Sequence, residues 1–221
     1  KLADKLPESM EGIKPVLIYP LFGVLLIGVF MFAVNPTMAA INTGITSFLN
    51  SMGGSSKILL GCIVAGMMSI DMGGPFNKAA YVFGTASIAS GNYDVMAAVM
   101  IGGMIPPLAV ALATTFFKKK FTSEERKSGV VNYIMGLCFI TEGVIPFAAA
   151  DPLRVIPSCV AGSAVAGGLS MLFGCTLRAP HGGIFVFPVV GNVVGYLIAL
   201  AAGSLVGMLL LGVLKKDKVA E

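Results

Sequence analysis

Apolar tracts long enough to cross a lipid bilayer constrain the fold of this chain more than any other feature. Residues 16–34 are almost uniformly apolar, and about 20 consecutive helical residues cover the ~30 Å hydrocarbon core of a membrane. Residues 184–214 form a second long tract, and other tracts are interrupted by glycine, proline or a charged residue. The pattern predicts a protein that is embedded in a membrane.

The composition favours the same class of protein. Hydrophobic residues make up 56% of the chain and charged residues 12%, whereas ordinary soluble domains carry about 25% charged residues. The 28 glycines and 12 prolines exceed what plain spanning helices need and are typical of small-residue helix packing and of broken helices. The predicted fold class is all-α: a polytopic membrane helix bundle with broken helices and re-entrant hairpins.

The net charge of +4 is concentrated beside apolar tracts. Basic residues cluster in the loop 118–127 and at Lys215, Lys216 and Lys218. The positive-inside rule places both clusters in the cytoplasm, so an even number of membrane crossings separates them. The charge therefore indicates a membrane setting, and no nucleic-acid partner is predicted.

The first half of the chain gives three expectations for the fold. We expect Pro20 to kink the first spanning helix. Residues 36–52 place apolar side chains between Asn and Thr at helical spacing, which favours an amphipathic helix in the interface. Residues 57–90 are broken at 71–75, which predicts either a hairpin or two half-helices that meet at a polar elbow.

The second half contains two apolar elements that are interrupted by glycine and proline, 139–158 and 178–192. Such elements are typical of re-entrant hairpins that bracket a binding site near the bilayer midplane. Further on, small residues recur at every fourth position, which predicts a face for close helix packing. These residues are Gly195, Ala199, Gly203 and Gly207.

Glu142 is a carboxylate inside a long apolar tract. A charge at the bilayer centre costs at least ~2.5 kcal/mol, so such residues generally face an aqueous path or a ligand. Pro146 and Pro152 each remove a backbone donor nearby, which disfavours an unbroken spanning helix. We interpret Glu142 as an acceptor for the hydroxyl groups of a polar ligand. The alternative is a structural pair with Arg154 inside the bundle.

His181 is the only histidine, and it lies in a break between Pro180 and Gly182. An imidazole titrates near neutral pH and can accept a proton from a hydroxyl, so we interpret His181 as a ligand-site residue. The alternative is a packing residue. No second His or Cys lies at metal-ligand spacing, so neither a metal nor a cofactor is predicted.

Three polar residues flank the glycine break in the first half of the chain: Asp71, Asn77 and Lys78. One interpretation is an internal pair between Asp71 and Lys78 that stabilises the break within lipid. In the other, Asn77 and backbone groups line the ligand cavity, and Asp71 is a further candidate binding residue.

Other charged residues are expected at structural positions or at the mouth of the path. Asp151 and Arg154 lie three apart and are expected to form a salt bridge within a hairpin. Arg178 is either an interfacial anchor or a phosphate-side cation near the cytoplasmic mouth. The four cysteines lie in apolar tracts without CxxC spacing and are expected to be buried, reduced thiols.

Three strings of residues resemble one known family. SIDMGGPFNKAAYVFG (69–84), FITEGVIPFAAADPLRVIPS (139–158) and APHGG (179–183) resemble the membrane IIC domain of fructose-type phosphotransferase-system permeases. The likeness covers essentially the whole chain, and we expect residues 1–221 to be the C-terminal part of one such domain. The polar opening segment without an initiator Met fits a piece of a longer protein.

The resemblance implies group translocation, in which a sugar crosses the bacterial inner membrane and is phosphorylated as it reaches the cytoplasm. The wider superfamily carries a GITE-like motif whose Glu binds the sugar; here it reads Phe139-Ile140-Thr141-Glu142, with Phe139 in place of the leading glycine. Thr141 and Gly143 are expected to bind beside Glu142. His181 is implied to lie at the hydroxyl that is phosphorylated.

The resemblance also implies a reaction and its partners. Fructose is the expected sugar and fructose 1-phosphate the product, made by a protein-N(pi)-phosphohistidine–sugar phosphotransferase of which this chain is the membrane subunit. IIA and IIB domains, a homodimer and membrane lipid are the expected partners, and the donor cysteine is expected on IIB. A permease for mannitol or another fructose-like sugar is one alternative. A proton-coupled secondary transporter that uses Glu142 as its proton site is another.

Overall fold

The computed structural model describes residues 19–51 and 56–218, together with Pro15 and Leu17. The polar opening segment of the sequence therefore lies almost entirely outside the described residues. The chain divides into two compact units, Lys1–Phe48 and Leu49–Glu221. The regular structure of the described part is almost wholly helical, and four helices are long and apolar enough to span a membrane, which confirms the predicted fold class.

Most of the first unit that the structure describes is one long helix, α1 (Tyr19–Ser51). Its segment Tyr19–Pro36 is a candidate membrane span, as the sequence predicts. The kink predicted at Pro20 was wrong, because this residue is the second of the helix, where its missing N–H has no helical partner to lose. The prediction of a separate interfacial helix over 36–52 was also wrong, since α1 continues through Pro36.

The second unit contains, in its described part, seven α-helices and one antiparallel pair of two-residue strands. In chain order these are α2 (Lys57–Met67), α3 (Pro75–Ala89), α4 (Tyr93–Phe116), α5 (Ser123–Leu137), α6 (Ile145–Ala150), α7 (Pro152–Leu172), β1 (Thr176–Leu177), β2 (Val190–Gly191) and α8 (Val193–Leu214). Helices α4, α7 and α8 are the candidate spans of this unit, and α4 is the most deeply buried of them.

Small residues bring the spanning helices into close contact. A Cβ atom added at Gly203 of α8 would lie 2.6 Å from both the Gly162 oxygen and the Ala166 Cβ of α7. One added at Gly207 would lie 2.7 Å from the Ala109 Cβ of α4. The small-residue face that the sequence predicts on α8 is therefore a packing face, and all four of its residues are buried.

The loop 118–127 and the C-terminal residues meet at one end of this unit, which we term the basic end. Lys120 Nζ lies 2.9 Å from Asp217 Oδ1, and Lys218 Nζ lies 2.8 Å from Glu125 Oε1. Two candidate spans, α7 and α8, separate the loop from the C-terminal residues, which agrees with the even number of crossings expected from the sequence. The positive-inside rule predicts that the basic end is cytoplasmic.

Helices α2 and α3 form a re-entrant hairpin that enters from the end opposite the basic end. Lys57 at the start of α2 donates to Asp94 in the first turn of α4 over 2.9 Å, and α3 runs directly into α4. With 11 and 15 residues at ~1.5 Å per residue, neither helix crosses a membrane core. The sequence allowed either a hairpin or two half-helices that meet at a polar break, and the structure shows the hairpin. We term its turn, residues 68–74, the elbow.

Helices α5 and α6 form a second re-entrant hairpin, which enters from the basic end. Residue Asp151, just after α6, lies 3.5 Å from Lys215 between Oδ2 and Nζ, so the chain has returned to that end. The hairpin runs over 123–150, whereas the predicted element was 139–158. The predicted start was too late because the first turn of α5 is polar and does not look like part of a membrane hairpin. The predicted end was too late because Pro152 already begins the next helix. We term residues 138–144 the tip.

A third element leaves the bundle after β1 and returns at β2. Thr176 pairs with Gly191 and Leu177 with Val190, so residues 178–189 start and finish at the same place, where α7 ends and α8 begins. Its second half is a 3-10 helix, Gly183–Val189. This return segment corresponds to the predicted element 178–192.

Candidate functional site

A cavity of about 400 Å³ forms where the elbow, the tip and the return segment meet. Its lining comprises Met68, Asn77, Lys78 and Tyr81 from the first hairpin, Phe139, Ile140, Thr141 and Glu142 from the tip, and His181 from the return segment. The structure thus gathers candidates that the sequence analysis took from three separate stretches. Asp71 and Gly143, also predicted to bind, adjoin the cavity without lining it.

Glu142 is an exposed carboxylate at the start of a short 3-10 helix, Glu142–Val144. Among residues 56–218 no cationic group lies within 4.0 Å of it, and Arg154 pairs with Asp151 instead. Gly73 of the elbow has a φ of +116°, and a Cβ there would lie 2.8 Å from Glu142 Oε1. A glycine is therefore needed for the elbow to approach the carboxylate so closely.

Asp71 caps helix α3 and does not pair with Lys78. Its Oδ2 accepts from the Phe76 amide at 2.6 Å, and its Oδ1 accepts from the Asn77 amide at 3.0 Å. These amides belong to the first turn of α3, whose donors have no partner within the helix. The Lys78 side chain is left exposed along the cavity. The carboxylate of Asp71 is thus occupied by the backbone, and its predicted contact with a ligand gains no support from its position.

Asn77 links the two limbs of the first hairpin beside the cavity. Its Nδ2 donates to the Met68 oxygen at 2.7 Å, and the side chain is only 3% exposed. A carbonyl at the end of α2 would otherwise lack a partner, because the helix has no further amide to offer it. The amide group of Asn77 therefore holds the elbow closed while it forms part of the cavity wall.

The tip depends on one unusual backbone position, Phe139, and on one close approach, Gly143. Phe139 has a φ of +63°, in the left-handed region that favours glycine, which is the residue at this place in the GITE-like pattern. Gly143 packs against α5, since a Cβ there would overlap the side chains of Asn132 and Met135. Gly143 therefore allows the tip to lie on α5, and its place in the site is structural.

His181 lies against two aromatic rings of the cavity. Its ring centroid is 5.2 Å from that of Phe139 at an interplanar angle of 67°, and 6.4 Å from that of Tyr81 at 74°. Gly182 and Gly183 follow at φ +135° and +55°, and a Cβ at Gly183 would overlap the Leu137 oxygen at the end of α5. The two glycines thus let the return segment dock on the tip hairpin, which brings the exposed imidazole into the cavity.

The other predicted charges lie away from the cavity. Asp151 accepts from Arg154 at 3.0 Å and also contacts the buried Lys215, so this cluster holds the basic end together. Arg178 lies over the Tyr93 ring, 4.9 Å from its centroid, at the first residue of α4. Since the 24 residues of α4 span roughly 36 Å, Arg178 is at the far end from the basic loop. Its position favours an interfacial anchor over a cation at the cytoplasmic mouth, which the positive-inside rule puts at the basic end.

Four lining residues were not among the predicted site residues: Met68, Tyr81, Phe139 and Ile140. Tyr81 follows Asn77 by four residues on the same helix, so helical periodicity from Asn77 could have identified it. The other three carry no signal of their own, since an apolar side chain in an apolar tract looks the same whether it faces a cavity or the core. The four cysteines are free, and none of them lines the cavity within the described part of the chain.

Comparison with known proteins identifies the family to which this chain belongs. The family model described as "Phosphotransferase system, EIIC" matches residues 1–162. The chain is 54% identical to the PTS system fructose-specific EIIABC component of Bacillus subtilis (strain 168) over 217 residues, which cover 98% of the chain and 34% of that protein. It is 52% identical to the Fructose permease IIC component of Bacillus amyloliquefaciens, over 98% of the chain and 71% of that protein.

A further relative is the PTS system fructose-specific EIIB'BC component of Escherichia coli (strain K12), which is 48% identical over 97% of the chain and 39% of its own length. The chain therefore spans between about a third and about two-fifths of the multi-component relatives that it matches. No solved structure matches it. A family model that covers most of the chain and a permease matched over 71% of its length agree: this chain belongs to the phosphotransferase system EIIC family of membrane permeases.

Proposed function

We propose that the cavity binds fructose and presents it for phosphorylation as the sugar crosses the membrane. The observation that carries this proposal is the convergence of Glu142 and His181 in one cavity although 39 positions separate them in the sequence. A volume of about 400 Å³ falls within the ~300–1,000 Å³ of small-molecule pockets. The lining combines acceptors and donors for hydroxyl groups with the ring of Tyr81 and the apolar side chains of Met68 and Ile140, as a sugar with polar edges and apolar faces requires.

Each group then has a defined task in the proposed reaction. Glu142 accepts hydrogen bonds from sugar hydroxyls and fixes the orientation of the ring. His181 takes the proton of the attacking hydroxyl, whose oxygen forms a bond to phosphorus while the phosphorus–sulfur bond of a phosphocysteine breaks and the thiolate leaves. Because phosphoryl transfer depends mainly on positioning and on electrostatics, few groups are needed on the acceptor side. The product is fructose 1-phosphate.

The phosphoryl donor in this proposal is a cysteine on a IIB domain, which IIA supplies in turn. Support comes from the relatives, whose names join EIIA, EIIB and EIIC components in one protein. Within the described part of the chain no cysteine lines the cavity, so the donor has to come from elsewhere. We further propose a homodimer within the lipid bilayer. A light-scattering mass of a monomer for the active parent protein would contradict the dimer alone.

The proposal predicts that Glu142→Gln abolishes fructose phosphorylation. The substitution keeps the shape of the side chain and removes its charge, so we expect a loss of at least about 100-fold in product formation, as when a charged contact to a reacting ligand is removed. The measurement uses membrane vesicles with the full-length parent protein, labelled fructose, the soluble phosphocarrier components and phosphoenolpyruvate. Glu124→Gln, a carboxylate in the first turn of α5 that does not line this cavity, is the matched control.

Three outcomes decide between the functions. Phosphorylated fructose that requires phosphoenolpyruvate and intact Glu142 supports the proposal. Undiminished phosphorylation by the Glu142→Gln protein contradicts the role of this carboxylate. Accumulation of free fructose without phosphoenolpyruvate contradicts group translocation and supports a gradient-driven carrier, while phosphorylation of mannitol in preference to fructose contradicts the choice of sugar.

A further inference from the structure

Phe139 holds a backbone conformation that its residue type disfavours. Its φ of +63° lies in the left-handed region, where a Cβ crowds the following carbonyl oxygen. Strain of this kind persists only where the surrounding structure holds the residue in place, and it is concentrated at functional sites. The contacts of the ring show what holds Phe139.

The Phe139 ring is seated in a notch on the central helix α4. At Gly103 of this helix an added Cβ would overlap the ring edge, and it would lie 3.1 Å from the Met68 Cε beside it. The Phe139 side chain is 7% exposed, although it belongs to the tip that surrounds Glu142. The notch therefore ties the tip to the most deeply buried helix of the unit.

The same ring is in contact with the His181 imidazole, which also lines the cavity. Phe139 and His181 make an edge-to-face contact with centroids 5.2 Å apart, and Tyr81 lies 6.3 Å from Phe139. Both separations fall within the ~4.5–7 Å of favourable aromatic pairs. Within residues 56–218 the structure shows no hydrogen bond to the His181 side chain, so these aromatic contacts are what orients it.

We propose that Phe139 is a positioning residue for sugar phosphorylation: its ring, seated at Gly103, sets the orientation of the His181 imidazole relative to Glu142. The inference rests on the proposed function of the cavity and adds a residue to it. Phe139 and Glu142 both belong to the tip. The contact of the Phe139 ring with α4 therefore aligns the Glu142 carboxylate, which holds the sugar, with the His181 imidazole, which receives the proton of the sugar hydroxyl. Loss of the seat misplaces the imidazole and leaves the sugar-binding groups present.

The first test removes the ring and retains the backbone. Glycine adopts a φ of +63° without strain, so Phe139→Gly preserves the course of the tip. We expect kcat for phosphoenolpyruvate-dependent fructose phosphorylation to fall by about tenfold while KM changes by less than about twofold, because a misplaced proton acceptor slows the chemical step more than it weakens binding. Phe139→Leu keeps apolar volume without a planar ring. Its kcat and KM provide a second test if the glycine variant does not fold.

The second test displaces the ring without touching Phe139. Gly103→Ala is expected to lower kcat by about tenfold in the natural background but by less than about twofold in the Phe139→Gly background, where no ring remains to displace. Gly66→Ala is the matched control, since it is also a buried helical glycine but a Cβ there meets its nearest atom at 3.6 Å. It is expected to leave kcat unchanged in both backgrounds.

The outcomes separate this inference from the proposed function. Wild-type kcat in Phe139→Leu and Phe139→Gly would overturn the inference, as would effects of Phe139→Gly and Gly103→Ala that multiply in the double variant. If the Glu142→Gln protein is inactive while the Phe139 variants behave as wild type, only the role of Phe139 fails. If the wild-type protein does not phosphorylate fructose with phosphoenolpyruvate, the proposed function itself fails.

Discussion

The elbow and the tip both reverse the chain beside the cavity, yet they are stabilised in opposite ways. At the elbow the polar groups are paired: Asp71 accepts two amide hydrogen bonds of α3, and Asn77 donates to Met68. The buried hydroxyl of Ser69 meets that of Ser163 on α7. The elbow is therefore held by hydrogen bonds to the two helices that it joins and to a spanning helix.

The tip shows no side-chain hydrogen bond among the described residues, although the amides of Phe139 and Ile140 donate to carbonyls at the end of α5. Its other fixed points are packing contacts, with Phe139 seated on α4 and Gly143 packed on α5. The Oδ1 atom of Asn132, against which Gly143 packs, is buried and has no hydrogen-bond partner among the residues that the structure describes. Both turns contain a non-glycine residue at positive φ, Met72 at +48° and Phe139 at +63°, so backbone strain does not distinguish them.

The difference suggests a division of labour within one cavity. The elbow, with its hydrogen bonds satisfied, supplies a fixed wall that includes Asn77 and Tyr81. The tip carries the carboxylate on a turn whose side chains are held by packing, and packing contacts can rearrange at a smaller loss of free energy than a satisfied buried hydrogen-bond network. Perturbing side-chain hydrogen bonds should therefore affect the elbow strongly and the tip weakly.

The largest effect on stability is expected at the elbow from Asp71→Ala. The substitution leaves two amides in the first turn of α3 without a partner, and losing such a cap lowers the free energy of unfolding by about 1–2 kcal/mol. Thermal unfolding of the detergent-solubilised parent protein measures it. Asp71→Asn keeps one side-chain oxygen as an acceptor and should lose about half as much. An unchanged melting temperature for Asp71→Ala would show that the cap does not stabilise the elbow.

A smaller effect is expected at the tip from Asn132→Leu. An unpaired buried acceptor gains nothing from its polarity, so replacing it with an apolar side chain of similar size should change the free energy of unfolding by less than about 1 kcal/mol, in either direction. Asn77→Leu is the matched control, because its amide is paired with Met68 and losing this one hydrogen bond should destabilise by about 1–1.5 kcal/mol. Equal losses for the two variants would show that Asn132 has a partner, and the contrast between elbow and tip would fail.

The sequence was sufficient to locate the breaks but not to assign their residues. Glycine, proline and isolated charges within apolar tracts are visible in any sequence, which is why Glu142, Asn77 and His181 could be selected. Asp71 and Glu142 look alike at that level, since both are acids within two residues of a glycine in an apolar tract. Only the backbone of α3, which places two amides within reach of Asp71, separates the helix cap from the carboxylate of the cavity.

Two other outcomes depended on chain direction and on contacts between distant elements. The place of Arg178 follows from the direction of α7. That direction is fixed because α5 and α6 form a hairpin that returns to the basic end, and the start of this hairpin is polar and hard to recognise in the sequence. The seat of Phe139 at Gly103 joins two residues that lie far apart in the sequence, and neither residue type indicates the contact. Neither could be predicted from local pattern, because each depends on how elements pack in three dimensions.

The smallest effect is expected where the tip hairpin is anchored at the basic end. Burial raises the pKa of Glu125, but the hydrogen bond and charge of Lys218 and the amide of Thr122 outweigh it, so its pKa lies below the ordinary value. The anchor is therefore fully present above the unfolded-state pKa of about 4.3 and is lost as the pH falls through the lower folded-state pKa.

Acidification should accordingly release the C-terminal residues 215–218 from α5. The expected loss is below about 1 kcal/mol, because a partly exposed ion pair contributes little. Limited proteolysis of the C-terminal segment between pH 7 and pH 3, by an acid-tolerant protease, measures the release. Glu125→Gln should be cleaved at neutral pH as fast as the wild type is in acid. If its cleavage instead followed the wild-type pH curve, groups other than Glu125 would control the anchor, with the Asp151–Lys215 and Lys120–Asp217 pairs as the next candidates.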